Sequence, residues 1–245
     1  MSTLLGIFAK YWIPGTVKTR LAQTIGDETA AQVHRLLVES LLARFESVAD
    51  RQILSFSPPS AQGKLSELPL GRWELVPQAS GDLGMRMKHF FASSLGVASD
   101  SGSSNTTVSS FGGNSDKDAA PVSPPRVLLI GSDSPDLPHA YLQEALDALR
   151  TVSVVLGPTD DGGYYLVGMS RFIPELFDDI AWSTPAVWSQ TVDRLATRGI
   201  PYHVLPQWYD IDTAPDLNRL LTSLEPSDPL SISLRSLLPP PCTTF

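Results

Sequence analysis

A short apolar run that ends in a cluster of small and acidic residues, at 127–138, constrains the fold of this chain most strongly. Residues 127–130 are Val, Leu, Leu and Ile, which is typical of a strand buried on both faces. Gly131 ends the run, Asp133 and Asp136 follow among serines, and Pro138 suits the first turn of a helix. Ligands of open α/β sheets bind beyond the carboxyl ends of such strands. Asp133 is therefore either a turn or capping residue or a metal ligand, and Asp136 is expected where the next helix begins.

The same succession of a short apolar strand and an amphipathic helix recurs along the chain. Apolar residues at helical spacing predict helices over 27–48, 83–95, 140–149 and 215–224, and one that starts at 182–185 and ends near 198. Strands are predicted at 4–9, 52–56, 73–76, 127–130, 152–156, 164–169 and 202–205. This alternation favours an α/β fold in which a mostly parallel sheet carries helices on both faces.

Two segments differ from this pattern. Residues 96–125 consist mainly of Ser, Asp, Gly, Asn and Thr, which predicts a flexible insertion that interrupts one domain. The segment from 225 onward is rich in proline and is expected to pack loosely or to be disordered. The prediction is thus a single domain at 1–224, an insertion at about 96–125 and a tail at 225–245.

Charge and composition exclude several classes of function. The formal net charge is −8 and there is no long basic run, so a nucleic acid is not an expected partner. The single cysteine, Cys242, excludes a disulfide framework within the chain and a cysteine-based zinc site. No apolar stretch approaches the roughly 20 residues of a membrane span, and the first residues lack the pattern of a secretory signal. We therefore expect a cytoplasmic protein.

Three cations accompany the loop that follows the first predicted strand. They are Lys10, Lys18 and Arg20, and Pro14 and Gly15 place a turn between them. Helix N-termini bind phosphates because they present N–H groups without partners, and Lys and Arg add positive charge. The three side chains are either a phosphate-binding group or a solvated face. The spacing of a P-loop is absent.

Two glycines at the start of the predicted helix 83–95 bracket an acid. Gly81 and Gly84 would let the backbone approach a flat ligand closely, and Arg86 follows on the helix. Asp82 would accept hydrogen bonds from a ribose or a base, or it would simply cap the helix.

Further acids follow two other strands. Asp160 and Asp161 precede two glycines after the strand 152–156, and Asp210 and Asp212 lie in the approach to the last predicted helix. Each pair is consistent with turn residues. Asp160, Asp161 and Asp212 would also lie at the same edge of the sheet as Asp133, because open α/β sheets bring the carboxyl ends of their strands together there. His34 lies on the helix 27–48 and is interpreted as a structural histidine.

Several stretches together resemble one family. The chain is similar to the DUF2064 family, also called transferase 1, rSAM/selenodomain-associated, whose members resemble nucleotide-diphospho-sugar transferases. The resemblance implies a three-layer α/β/α fold of the glycosyltransferase A type. It rests on six stretches in order: FAK with PGTVKTRL at 8–10 and 14–21, QASGDLGMRM at 78–87, IGSDSPDLP at 130–138, GPTDDGGYYLVG at 157–168, IAWSTP at 180–185 and DIDT at 210–213.

The resemblance also implies a site. Asp133 matches the metal-carrying acid of the nucleotide-binding half, and Asp212 falls where related transferases place a second group at the metal. The metal is expected to be Mg²⁺ or Mn²⁺, which prefer carboxylate and phosphate oxygens. Asp161 would face the acceptor or the sugar, and Asp161 or Asp160 is the candidate base. The nucleotide would be bound by Lys10, Lys18, Arg20, Gly81, Asp82 and Arg86.

Three functions remain open at this stage. The first is metal-dependent transfer of a sugar from a nucleotide-sugar to a small-molecule acceptor. The second is nucleotidyl transfer, in which a phosphorylated small molecule attacks an NTP, since VKTRLA at 17–22 also resembles phospholactate guanylyltransferases. The third is a nucleotide-binding module without catalysis.

Overall fold

Within the part of the chain that the structure describes, seven strands form one sheet in which six run in the same direction. The computed structural model describes residues 2–97 and 125–238. The strand order is β3-β2-β1-β4-β6-β5-β7, and β6 is antiparallel to both of its neighbours. The strands are β1 (Thr3–Lys10), β2 (Arg51–Ser57), β3 (Trp73–Pro77), β4 (Arg126–Ile130), β5 (Val154–Pro158), β6 (Tyr164–Met169) and β7 (Tyr202–Val204).

Helices cover both faces of this sheet, which explains why its central strands are apolar throughout. One face packs on α2, α3 and α5, and the other on α4, α6 and the short turn Pro174–Phe177. The helices are α1 (Thr19–Ile25), α2 (Asp27–Arg44), α3 (Gln62–Leu65), α4 (Leu83–Ser94), α5 (His139–Ala148), α6 (Val187–Thr197), α7 (Ala214–Ser223) and α8 (Pro229–Leu237). The predicted three-layer α/β/α architecture is confirmed.

The chain changes direction across the sheet between β1 and β4. It builds outward from β1 through β2 to β3, and then returns to the other side of β1 with β4. Ile7 of β1 is level with Ile130 of β4, so both strands end at the same edge. The loops after Lys10 and Ile130 therefore meet at a topological switch point, where open α/β sheets bind their ligands.

Three predicted element boundaries need correction. The strand predicted at 152–156 lies at Val154–Pro158. The helix predicted from 182–185 begins instead at Val187, because Ser183 has a φ of 63° and residues 182–186 form turns. The helix predicted over 27–48 ends at Arg44.

The expected loose tail is also wrong for residues 229–237. They form α8, which Asp228 caps by accepting a hydrogen bond of 2.8 Å from the N–H of Leu230. Leu230 and Leu234 are buried against α1, α2 and α7 in a third apolar cluster.

The predicted insertion falls almost entirely outside the described residues, as does the end of the predicted tail. The described chain contains α4, which ends at Ser94, and β4, which begins at Arg126. Within residues 2–97 and 125–238, none of the helices combines the length and the apolar character that crossing a bilayer requires.

Candidate active site

A cleft of about 420 Å³ opens at the carboxyl ends of β1 and β4. It brings together segments that are far apart in the sequence: the ends of both strands, the start of α1, the start of α4 and the loop before α7. Its side chains include Lys10, Lys18, His34, Arg86, Asp133, Asp210 and Asp212. Five of the residues predicted from the sequence, namely the two acids expected at the metal and three of the cations, therefore share one cleft.

A backbone hydrogen bond joins the two loops that carry the predicted metal ligands. The N–H of Ile211 donates to the carbonyl of Asp133 at 2.8 Å. Ile211 is fully buried in the apolar cluster below, and this anchors the 210–212 segment. Asp133 and Asp212 project from the two loops toward the same point, and each side chain is 39% exposed.

The ammonium of Lys18 lies between these two carboxylates. It forms a close ion pair with Asp133 and contacts Oδ1 of Asp212 at 3.2 Å. Lys18 has left-handed backbone angles, with a φ of 47°, and its side chain is only 3% exposed. The backbone at the start of α1 thus directs the Lys18 side chain inward, toward the two acids.

The electrostatics of this trio favour its charged form. Burial alone would lower the pKa of Lys18, but the two carboxylates outweigh it and raise the pKa. Burial would likewise raise the pKa of Asp133, but the positive charge of Lys18 outweighs it and lowers the pKa below its ordinary value. At neutral pH, Lys18 is therefore an ammonium and Asp133 is a carboxylate.

Asp210 is a member of the cleft that the sequence analysis did not select. Its Oδ1 accepts a hydrogen bond of 2.7 Å from the hydroxyl of Ser134. Burial, and next the negative charge of Asp133, raise the pKa of Asp210 to about 7. In the sequence, Asp210 has the same surroundings as its neighbour Asp212, so no local signal distinguishes them.

His34 is the second residue whose position the sequence did not reveal. It is buried beneath the cleft, and its Nδ1 lies 4.0 Å from Oδ1 of Asp133. The signal that would have found it is a polar residue within the buried stripe of α2, between Ala30 and Leu37.

The other predicted cations are more open than Lys18. Lys10 is exposed where β1 ends, and Arg20 is 67% exposed, with its guanidinium 3.8 Å from Asp212. Arg86 reaches the cleft from α4, where its Nε donates to the carbonyl of Gly81 at 2.9 Å and another nitrogen donates to Gln78.

Asp82 caps α4, which is one of the two roles that its sequence position allowed. It is exposed, and its carboxylate accepts a hydrogen bond of 2.8 Å from the N–H of Met85. Neither Asp82 nor Gly81 lines the cleft. Gly84 serves packing, since a Cβ there would overlap the indole of Trp182 and lie 2.9 Å from the carbonyl of Phe177.

Asp160 and Asp161 border a second hollow, which shares Asp210 and Asp212 with the cleft. Asp161 is held within its own turn, because its Oδ1 accepts from the Thr159 hydroxyl at 2.6 Å and from the Gly163 N–H at 3.0 Å. Asp160 is 59% exposed and accepts from Gln207 at 2.7 Å.

Asp136 does not cap α5, whose N-cap position is Pro138. Instead it anchors the segment before Asp210, because it accepts hydrogen bonds from the Tyr209 hydroxyl at 2.5 Å and from the Trp208 indole at 3.2 Å. Asp136 therefore lies in the entry to α5, as expected, and also holds the segment that precedes Asp210.

Comparison with known proteins identifies the family. Residues 42–184 match the family described as an uncharacterized protein conserved in bacteria, DUF2064. The chain belongs to the DUF2064 family. No curated protein matches this DUF2064 chain.

Solved structures share the fold of this DUF2064 protein. A candidate nucleotide-diphospho-sugar transferase from Desulfovibrio desulfuricans G20 is 30% identical, with a TM-score of 0.79 over 96% of this chain and 95% of that chain. Rv0371c from Mycobacterium tuberculosis H37Rv is 17% identical, with a TM-score of 0.51 over 91% of this chain and 100% of that chain. A 4-diphosphocytidyl-2C-methyl-D-erythritol synthase from Anaerococcus prevotii DSM 20548 is 12% identical, with a TM-score of 0.53 over 96% of each chain.

The acids of the DUF2064 cleft suit a hard divalent cation that arrives with phosphates. Within residues 2–97 and 125–238, no group of three or more His, Cys, Asp or Glu side chains is arranged to hold a metal by itself. Mg²⁺ commonly takes one or two protein carboxylates and completes its shell with phosphate oxygens and water. Asp133 and Asp212 converge on Lys18 and both side chains are partly exposed, so the donor set fits this mode.

Proposed function

We propose that this chain is a metal-dependent transferase that moves a sugar from a nucleotide-sugar to a small-molecule acceptor. The observation that carries the proposal is the convergence of Asp133 and Asp212, from loops about 80 residues apart, in a cleft at the switch point of the sheet. The Desulfovibrio relative, described as a candidate nucleotide-diphospho-sugar transferase, supports the same class of donor.

The leaving group of such a reaction is a nucleoside diphosphate, whose negative charge grows as its bond to the sugar breaks. A divalent cation held by Asp133 and Asp212 would stabilise that charge. Lys18 keeps the two carboxylates together and adds a permanent positive charge beside them. Lys10, Arg20 and Arg86 are placed around the opening to bind phosphate oxygens.

The acceptor would occupy the hollow next to the cleft. Asp160 is the better candidate base, since it is 59% exposed and its two partners, Gln207 and Arg219, come from other segments. In the transfer, the acceptor O–H gives its proton to the base and the oxygen attacks the anomeric carbon. The bond from that carbon to the phosphate oxygen breaks, and its electron pair leaves with the nucleoside diphosphate.

The hollow also carries information about the acceptor. Five aspartates border it, and Arg20 is the cation among its described lining residues. Such a surface repels a phosphorylated or carboxylated acceptor and suits a neutral hydroxyl compound. This favours transfer of a sugar to a neutral acceptor over coupling to an anionic one.

The test is a two-step assay on the full-length protein. A thermal-shift screen of nucleotides and nucleotide-sugars, with and without Mn²⁺, first identifies the ligand. The product assay then offers labelled nucleotide-sugars and labelled NTPs. Metal-dependent release of a nucleoside diphosphate from a sugar donor is the expected result, and the absence of any nucleotide-dependent shift contradicts the proposal.

A second candidate, nucleotidyl transfer, is favoured by one observation. Asp161 is already bound within its turn, so of the two candidate bases only Asp160 is free of its own turn. An attacking phosphate or carboxylate is already deprotonated and needs hardly any base. Cations and a metal are sufficient to stabilise the charge of its reaction with an NTP. Pyrophosphate release from an NTP in the same assay would favour this reaction.

A further inference from the structure

His34 presents one nitrogen to each of two neighbours. Its Nε2 lies 3.1 Å from the carbonyl oxygen of Lys10, at the end of β1. Its Nδ1 lies 4.0 Å from Oδ1 of Asp133, in the loop that follows β4. The side chain is 4% exposed, so α2 places the buried imidazole between the end of β1 and this loop.

The hydrogen-bonding roles of the two nitrogens are fixed by chemistry. A carbonyl oxygen only accepts, so Nε2 must carry the hydrogen. The neutral imidazole carries a single hydrogen, so when Nε2 holds it Nδ1 is an acceptor. Within residues 2–97 and 125–238, Nδ1 has no hydrogen-bond partner although it is buried.

Two acceptors therefore face each other at a separation that excludes a direct hydrogen bond. Nδ1 and the carboxylate oxygen are 4.0 Å apart, whereas hydrogen bonds to these atoms measure roughly 2.7–3.2 Å. A water molecule whose oxygen lies about 2.8 Å from Nδ1 and from Oδ1 would span this separation and donate one hydrogen to each atom. Other charged groups that face His34 are Lys18 and Lys10, and both carry positive charge.

We propose that His34 is a positioning residue for Asp133, and that its Nδ1 and Oδ1 of Asp133 share a bound water molecule. The same Oδ1 already pairs with the ammonium of Lys18, so the bridge is a second contact that fixes this oxygen and leaves Oδ2 for a ligand of the cleft. Groups that orient a metal ligand from behind are typically worth 10- to 100-fold in metal affinity, by the order of magnitude known for such contacts. The inference rests on the proposed function, because it assigns His34 to the acid that would hold the metal.

Two substitutions separate the two contacts of the imidazole. His34→Gln places an amide N–H near the position of Nε2, so it keeps the donor to Lys10 and removes the acceptor toward Asp133. His34→Asn places an amide oxygen near the position of Nδ1, so it keeps that acceptor and removes the donor to Lys10. A purely structural histidine would depend on the Lys10 contact and on packing alone.

The measurement is Mn²⁺ affinity by electron paramagnetic resonance, with Mn²⁺ alone and with the nucleotide that most stabilises the wild type. We expect His34→Gln to weaken Mn²⁺ binding about tenfold or more while its Tm stays near the wild-type value. We expect His34→Asn to bind Mn²⁺ almost as the wild type does, with a Tm about 2–4 °C lower because the Lys10 carbonyl loses its donor.

The outcomes distinguish this inference from the proposed function. If both variants lose Mn²⁺ affinity equally, or if neither loses it, the positioning role is overturned. If the wild type itself binds no Mn²⁺ with any nucleotide, the proposed function fails instead. A crystal structure that shows a water within hydrogen-bond distance of both atoms in the wild type supports the bridge directly.

Discussion

Two pairs of aspartates follow strand ends at one edge of this sheet, and their partners differ. Asp133 and Asp212 meet across the cleft around the ammonium of Lys18, which comes from a third segment. Asp161 binds only the turn to which it belongs, and Asp160 contacts side chains outside that turn. Asp133 and Asp212 are joined through a lysine from a distant segment and line the cleft. Asp161, by contrast, stabilises the backbone of its own turn.

This difference is one of energetics as well as of position. The Asp133–Lys18–Asp212 group concentrates charge in a partly buried place, which is costly unless every charge has a partner. A fold retains such a group where binding or catalysis needs it. The turn at 160–163 needs its acid only for two local hydrogen bonds, and an uncharged acceptor would serve nearly as well.

Asp133→Ala tests the long-range pair and has the largest expected effect. We expect metal-dependent nucleotide binding to be abolished, because the carboxylate that faces the cleft is lost, while the fold remains intact. Isothermal calorimetry with Mn²⁺ and the nucleotide from the thermal-shift screen measures this. Asp193→Ala, which removes an exposed acid from α6, is the control for the loss of one negative charge. Unchanged nucleotide affinity in Asp133→Ala would refute the metal role.

Asp160→Asn tests whether the hollow takes part in the chemistry. We expect sugar transfer to fall about 100-fold, the lower range for loss of a general base, while the affinity for the donor stays unchanged. The measurement is kcat with saturating donor and acceptor, together with donor affinity by calorimetry. Unaltered kcat would remove Asp160 from the mechanism and would favour nucleotidyl transfer.

The sequence predicted the layers of the fold better than the partners within the site. Apolar periodicity located the seven strands, because a sheet covered on both faces needs continuous apolar runs. Periodicity carries no information about which loops meet, so Lys18 was expected at phosphates and His34 was assigned to structure alone. Both side chains depend on α1 and α2 docking against the ends of β1 and β4.

The C-terminal segment shows a different limit of sequence interpretation. Its prolines suggested disorder, yet Asp228 and Pro229 form a helix start, and Leu230 and Leu234 have helical spacing. The local signal was present, and the proline-rich composition concealed it. Burial of those leucines against α2 supplies the packing that a helix of nine residues needs.

Lys18→Met tests whether the lysine stabilises the acid pair or only serves a ligand. Removal of one member of a buried ion pair costs about 3–5 kcal/mol, and the partial exposure of both acids reduces our expectation to about 2 kcal/mol. Urea denaturation without metal measures the loss, with Lys64→Met on the surface as the control. Added Mn²⁺ should restore part of the stability, since it takes over the two carboxylates. If Lys18→Met has the same free energy of unfolding as the wild type, the ion pairs of Lys18 with Asp133 and Asp212 contribute nothing to the stability of the fold.

Asp161→Asn tests the local acid and has the smallest expected effect. The amide oxygen still accepts from the Thr159 hydroxyl and the Gly163 N–H, but without the charge that strengthens both bonds, so we expect a loss of about 1 kcal/mol. Nucleotide affinity should match the wild type, because the turn lies outside the Asp133 cleft. For the stability measurement alone, Asp160→Asn is the matched control, since its exposed carboxylate contacts only Gln207 and Arg219, which lie outside the turn. A fall in nucleotide affinity in Asp161→Asn would show that the turn acid reaches the ligand, and the contrast between the two pairs would no longer hold.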